Sequence, residues 1–196
     1  VPARSLEAPA VVAHGRLVVL GADNTRLHEE IVFAGGQLKE GKLTRMSVTA
    51  LQAALDAGLP EPAPAAMGKR LSELWPSHQD ALFKSLEARV KDRSENLDGI
   101  LRRRADREVK DLTTRLMELL RLIKEQLDEK PQTQLELNLE EEEQRERNHA
   151  SLRARADEIP AEIAREAAAI RARFEKPSPR LFPVAVTYLV PEHLAS

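Results

Sequence analysis

The chain closes on "LFPVAVTYLV" (181–190), an apolar run that follows a long stretch of charge-rich, helix-favouring sequence. One strand cannot stand by itself, because its backbone N–H and C=O groups need a neighbour. The remaining strand-like sequence lies at the other end. "VVAHGRLVVLG" (11–21) reads as a strand and "ADNT" (22–25) as a turn. "RLHEEIVFAGG" (26–36) reads as a second strand ending in a Gly-Gly turn, and "KLTRMS" (42–47) as a short third. In "SVTALQAALDAG" (47–58), Ser47 or Thr49 is placed as a helix N-cap and Gly58 just past the end. Such a meander with one helix is too thin to fold well uncovered. The last strand is therefore expected to pair with 11–20 and 29–34. Pro183 and Pro191 suggest an edge position or frayed ends.

The sequence between the two ends must double back. "LPEPAPAAMG" (59–68) is a stiff extended connector. From there to about 130 nearly every residue favours helix, with Pro76 able to open a new one. If continuous, 77–130 would measure about 80 Å. "EKPQTQ" (129–134) breaks it, and Asn138 with Glu141 resembles a loose capping box. A second helical arm then runs to Phe174, with Pro160 as an expected kink or restart.

Apolar or small residues recur at 97, 101, 105, 109, 112, 116, 119 and 123, and again at 152, 156, 159, 163, 167 and 170. Folding back near 134 makes facing positions sum to about 268 in an antiparallel pairing. Leu116 then meets Leu152, Leu112 meets Ala156, Val109 meets Ile159, Ala105 meets Ile163 and Leu101 meets Ala167. This seam predicts an antiparallel helical hairpin with coiled-coil packing. Leu119 would face His149 and Ile123 would face Arg145, so the tip is expected to be the weaker, more mobile end.

The expected fold is α+β, mostly α. A long antiparallel coiled-coil hairpin (67–176) is inserted in a small β-meander/α base (1–66 plus 177–196) that the C-terminal strand closes.

Composition agrees with long helices: 32% of the residues are charged and only 3% aromatic. Lys and Arg (30) nearly balance Asp and Glu (32), so no global field calls for nucleic acid or a membrane. Without cysteine there is no disulfide framework, thiolate metal site or cysteine nucleophile. No apolar run approaches a membrane span and no signal peptide opens the chain, which suits a cytoplasmic protein. The first residue is Val1, not Met, so a fragment of a longer polypeptide is expected.

Sites of chemistry are scarce. "EGKLT" (40–44) and "MGKRLS" (67–72) lack the upstream glycine of a phosphate-binding loop. The histidines (14, 28, 78, 149, 193) lie far apart, and none makes an H-x-x-x-H or H-x-H pair. His149 reads as a structural seam residue. "EEEE" (140–143) reads as a solvated acidic face beside Lys124 and Lys130, although four carboxylates could in principle hold a hard cation. There is no G-x-S-x-G and no Ser, His and Asp arrangement. No catalytic residue, metal ligand or cofactor is therefore expected in this chain.

The local charge feature is "LRRRADREVK" (101–110). Arg103, Arg107 and Lys110 fall on one helical face, flanked by Arg102 and Arg104. They form either a stripe contacting DNA phosphates or the solvated flank of a coiled coil. In the second case they would pair with Asp157, Glu158, Glu162 and Glu166 of the other arm. No aromatic lies among them for base stacking.

The runs "LRRRADREVKDLTTRLMELLRLIKEQLDE" (101–129), "QLELNLEEEEQRERNHASLRARADEIPAEIAREAAAIRARF" (134–174) and, above all, "RLFPVAVTYLVP" (180–191) carry a resemblance. They resemble the extreme C-terminal region of bacterial Swi/Snf-type helicases, in particular the helicase subunit of DISARM anti-phage defence systems. The similarity spans roughly 68–191 and is most distinctive at the closing strand. It implies a parent superfamily 2 ATPase acting on DNA, with ATP and Mg bound by upstream motifs. None of those motifs matches here, so none of their residues carries over.

The resemblance also implies the partners: the upstream motor domains and other defence proteins, with DNA reached through the parent. The expected function is a non-catalytic accessory module whose hairpin docks partner subunits or braces the motor. A DNA-gripping arm is the first alternative, and an unrelated oligomerising coiled coil the second.

Overall fold

The computed structural model describes residues 1–2, 6–40, 42–59, 62–128 and 139–195, the side chains of 139–141 excepted. The break expected at 129–134 and the Asn138–Glu141 box lie outside the described residues. The fold is α+β and mostly α: a four-stranded antiparallel sheet and a pair of long helices. In chain order the elements are β1 (Ala10–Leu20), β2 (Arg26–Lys39), β3 (Lys42–Arg45), α1 (Val48–Asp56), α2 (Ala65–Glu73), α3 (Trp75–Asp128), α4 (Leu139–Glu175) and β4 (Ser178–Leu189), then a short 3-10 turn at Glu192–Leu194.

The chain divides into two units, Val1–Asp98 with Pro177–Ser196, and Gly99–Lys176. In the first, the strand order is β3-β2-β1-β4, all antiparallel. β1 is central and reads as a near-continuous apolar run because both of its faces are covered over much of its length. On the even face, Ala10 and Val12 form a core with Leu6, Leu189, and Leu51 and Ala54 of α1. Ser47 caps α1, its hydroxyl accepting from the Ala50 N–H at 3.2 Å.

The odd face lies under the first turns of α3. Leu82 and Leu86 are fully buried, and a Cβ on Gly15 would lie 3.3 Å from Leu86 Cδ2. Glu30, beside Leu17 in the ladder, takes a two-pronged bond from Arg93 of α3 (2.6 and 3.0 Å). The first unit extends through Asp98, past the expected boundary at 66/67, with Leu86 beside Gly15 and Arg93 bonded to Glu30.

β4 pairs with β1 alone and not with β2, taking the sheet's outer edge. Two further expectations are corrected. β2 does not end at the Gly-Gly pair but runs through it to Lys39. At Gly35 a Cβ would collide with the Val11 carbonyl oxygen, and at Gly36 with that of Thr44. The glycines thus allow close strand approach and make no turn. Likewise, α4 neither stops nor restarts at Pro160 but stays helical from Leu139 to Glu175. Proline removes one backbone donor, and the seam residues on either side hold the helix through that gap.

In the second unit, α3 and α4 pack antiparallel through the expected face but in a different axial register. Leu120, Ile123, Ala156 and Ile159 form the buried cluster, with Leu116, Leu127, Leu152 and Ile163 packed against it. Arg104 lies over the Phe174 ring, 6.0 Å from its centroid, and Arg173 stands 4.0 Å from Glu108. Facing positions in these pairs sum to about 280, a slide of about three helical turns from the expected 268. Ile123 is thus a core residue and does not face Arg145, and Leu120 is buried where Leu119 was expected, Leu119 being 38% exposed.

The physical reason lies in the repeat. Apolar positions spaced three and four apart stay in phase when one helix slides by whole turns, so periodicity fixes the face but not the register.

Candidate interaction surfaces

β4 is an edge strand, and its middle is open. Phe182 is 52% exposed and Val184 61%. In the ladder, Phe182 and Ile31 both stand opposite Arg16, making one cross-strand row on the even face. The row lies beyond the end that α1 covers, and Ile31 is itself 57% exposed. Arg16 is held there by Glu29, and its guanidinium keeps the Glu29 carboxyl below the ordinary 4.5.

Between His14 and Gly15 the register slips: Ala185 pairs with His14 and Pro183 with Gly15, so Val184 is an extra, bulged residue. Bulges and prolines are devices that blunt a sheet edge against indiscriminate pairing. The edge is therefore guarded, yet apolar.

The basic row lies in the second unit, on α3. Arg102, Arg103, Arg104, Arg107 and Lys110 are all exposed. Arg104 bonds Glu108 one turn on, at 2.9 Å. Arg103, Arg107 and Lys110 make no ion pair among the described residues. Of the carboxylates expected opposite them, three are engaged within their own helix. Glu158 and Glu162 bind Arg155 at 3.3 and 2.7 Å, and Glu166 stands beside Arg165.

The expected seam residues Leu101, Ala105, Ala156, Ile159 and Ala167 are buried, and Val109, Leu112, Leu116, Leu152 and Ile163 half-buried. His149 does not meet Leu119 in a seam. It lines a shallow depression with Arg145, Glu146, Ala150 and Arg153, all of α4.

One polar constellation is not visible in the sequence. His78, on the first turns of α3, is 1% exposed, and its Nε2 lies 3.1 Å from the Tyr188 hydroxyl of β4. Trp75 meets the His78 ring edge-on at 5.6 Å, and Tyr188 does so at 6.0 Å. A separation of 110 residues hides the pair from any spacing motif. The available signals were the single Tyr of the closing strand and the helix-opening "WPSH" (75–78).

Electrostatics distinguish the buried groups. Burial raises Glu30, but the Arg93 bonds and the nearby His28 outweigh it and set the carboxyl below 4.5. Burial also pushes His14 below 6.5, its Nε2 lying 3.2 Å from Thr187 Oγ1.

Among the described residues no group of three or more His, Asp or Glu side chains could hold a metal ion. No described helix is long and apolar enough to cross a membrane. No family model matches the sequence, and neither a curated protein nor a solved structure matches the chain.

Proposed function

We propose that this chain is a non-catalytic C-terminal accessory module of a Swi/Snf-type, DNA-dependent ATPase of bacterial anti-phage defence, docking the motor or its partner subunits. The observation that carries this reading concerns one segment. The run most like the helicase C-terminal region, 180–191, forms the sheet's outer strand, and its Phe182 and Val184 are left open. Burying a side chain of this size contributes about 1.5–3 kcal/mol, so covering both would supply a substantial part of a docking energy.

Two measurements test the reading. The reading frame upstream of this segment is expected to encode ATPase motor motifs; a frame without them overturns the assignment. Against that motor region, the chain carrying Phe182→Glu and Val184→Glu is expected to bind at least about tenfold more weakly than the unaltered chain, the equivalent of 1.4 kcal/mol. Equal binding of both would remove the outer strand from the interface.

A second reading is favoured by the unpaired, exposed Arg103, Arg107 and Lys110: a DNA-backbone arm. It predicts salt-sensitive duplex binding. Replacing the three by Glu should abolish that binding, and single replacements should flatten the log–log salt slope by about 0.9 for each phosphate no longer neutralised. Absent or unchanged binding defeats this reading.

A further inference from the structure

We propose that His78 and Tyr188 form an acid-released latch holding the first turns of α3 against the closing strand β4. The inference rests on unit geometry and is independent of the helicase reading. His78 is enclosed, its Nε2 engages the Tyr188 hydroxyl, and its Nδ1 has no hydrogen-bond partner. The Leu74 carbonyl at the helix start already accepts from the Ser77 N–H at 3.0 Å and the Ser77 hydroxyl at 2.6 Å.

The neutral imidazole suits this place. It carries one N–H, and with Nε2–H donating to the Tyr188 hydroxyl no ring N–H is left unmet, Nδ1 holding only a lone pair. The imidazolium does not suit it. Protonation gives both ring nitrogens a hydrogen, the second having only the Leu74 carbonyl, already engaged twice by Ser77, and buries a positive charge.

The surroundings supply no compensating anion. From β4 the titratable group facing His78 is Tyr188, itself pushed above its ordinary value by burial. On α3 the adjacent Asp80 and Lys84 are exposed. From the end of β3, Arg45 reaches the Ser85 carbonyl at 3.5 Å, a further positive charge. No carboxylate among the described residues pairs with His78.

Burial accordingly holds His78 below its ordinary 6.5, partly opposed by the Leu74 carbonyl. A histidine lowered in the folded state stabilises it fully above 6.5, and that contribution is lost as the pH falls through the folded value. Acid therefore opens the latch. Since Trp75 packs edge-on against both His78 and Phe83, opening uncovers the chain's single tryptophan.

Trp75 fluorescence reads the latch directly. On acidification the emission should shift red and acrylamide quenching should rise while the far-UV helical signal persists. The opened fraction should grow by at most about tenfold per pH unit, as one proton dictates. His78→Phe should flatten the transition. His14→Gln should retain it, which separates the two histidines lowered by burial. A fluorescence change that coincides with loss of helix, or that survives in His78→Phe, overturns the latch. Should His78→Phe fail to fold, NMR titration of His78 in the unaltered chain decides: a midpoint at or above 6.5 refutes the proposal, and a lower one upholds it.

Discussion

Replacing Gly35 by valine is expected to destabilise the sheet unit by about 3 kcal/mol or more, at the upper end of what overpacking costs. β2 lies between β1 and β3, and Gly35 is paired with Val12 of the central strand. A Cβ at this position would fall far inside van der Waals range of the Val11 carbonyl oxygen and would crowd Val12 Cα. These obstacles are backbone atoms, so no side-chain rotation relieves the clash. The strands must separate, straining the ladder that carries Ala10 and Val12 into the core.

The contrast is Gly68, inside α2, where an added Cβ meets nothing within 4 Å. Gly68→Ala is expected to stabilise by about 0.5–1 kcal/mol, from helix propensity alone. Paired urea unfolding curves check both. A Gly35→Val protein as stable as the unaltered one would show that the two strands do not approach as described.

The same glycine marks a limit of sequence reading. Strand positions, the start of α1 at Ser47 or Thr49 and the long helices are legible, because each is set by local pattern. A short apolar run bounded by turn formers places β1, and three-four spacing places the seam face. The prolines of the last strand fit an edge or frayed ends, and only the structure decides for the edge.

What pattern leaves open is the meeting of distant segments. Gly35 and Gly36 look like a turn in the sequence and act as clearance for neighbouring strands. The first turns of α3 carry the same periodicity as the rest of the helix, yet Leu82, Leu86 and Arg93 serve the sheet unit. His78 and Tyr188 are ordinary residues singly and form a site only when the last strand returns. The open apolar row on β4 was equally hidden: its strand reads as apolar either way, and only the bulge and the reach of α1 decide which residues stay uncovered.

The helix pair offers the sharpest separation between face and register. Ile159 is fully buried in the α3–α4 cluster. Ile159→Ala is expected to cost about 2–5 kcal/mol, the range for removing a large aliphatic group from a core that cannot fully collapse. Leu120→Ala should cost a large share of that, whereas Leu119→Ala, at an exposed position, should stay within about 0.5 kcal/mol. Amide exchange along α3 and α4 is the appropriate readout, since it reports this pair separately from the sheet unit. Were Leu119 the costly position and Leu120 the neutral one, the seam would sit on the wrong flank of α3.

Axial register needs its own test, because sliding by whole turns changes few burials. The chain contains no cysteine, so introduced pairs give a clean answer. Leu116→Cys with Ile163→Cys should close a disulfide under mild oxidation, while Leu116→Cys with Leu152→Cys should not. Disulfides form only where Cα atoms approach within about 7 Å, and the two registers differ by about three turns of helix, about 16 Å. The reverse result would restore the fold-back near residue 134 and move Ile123 out of the core.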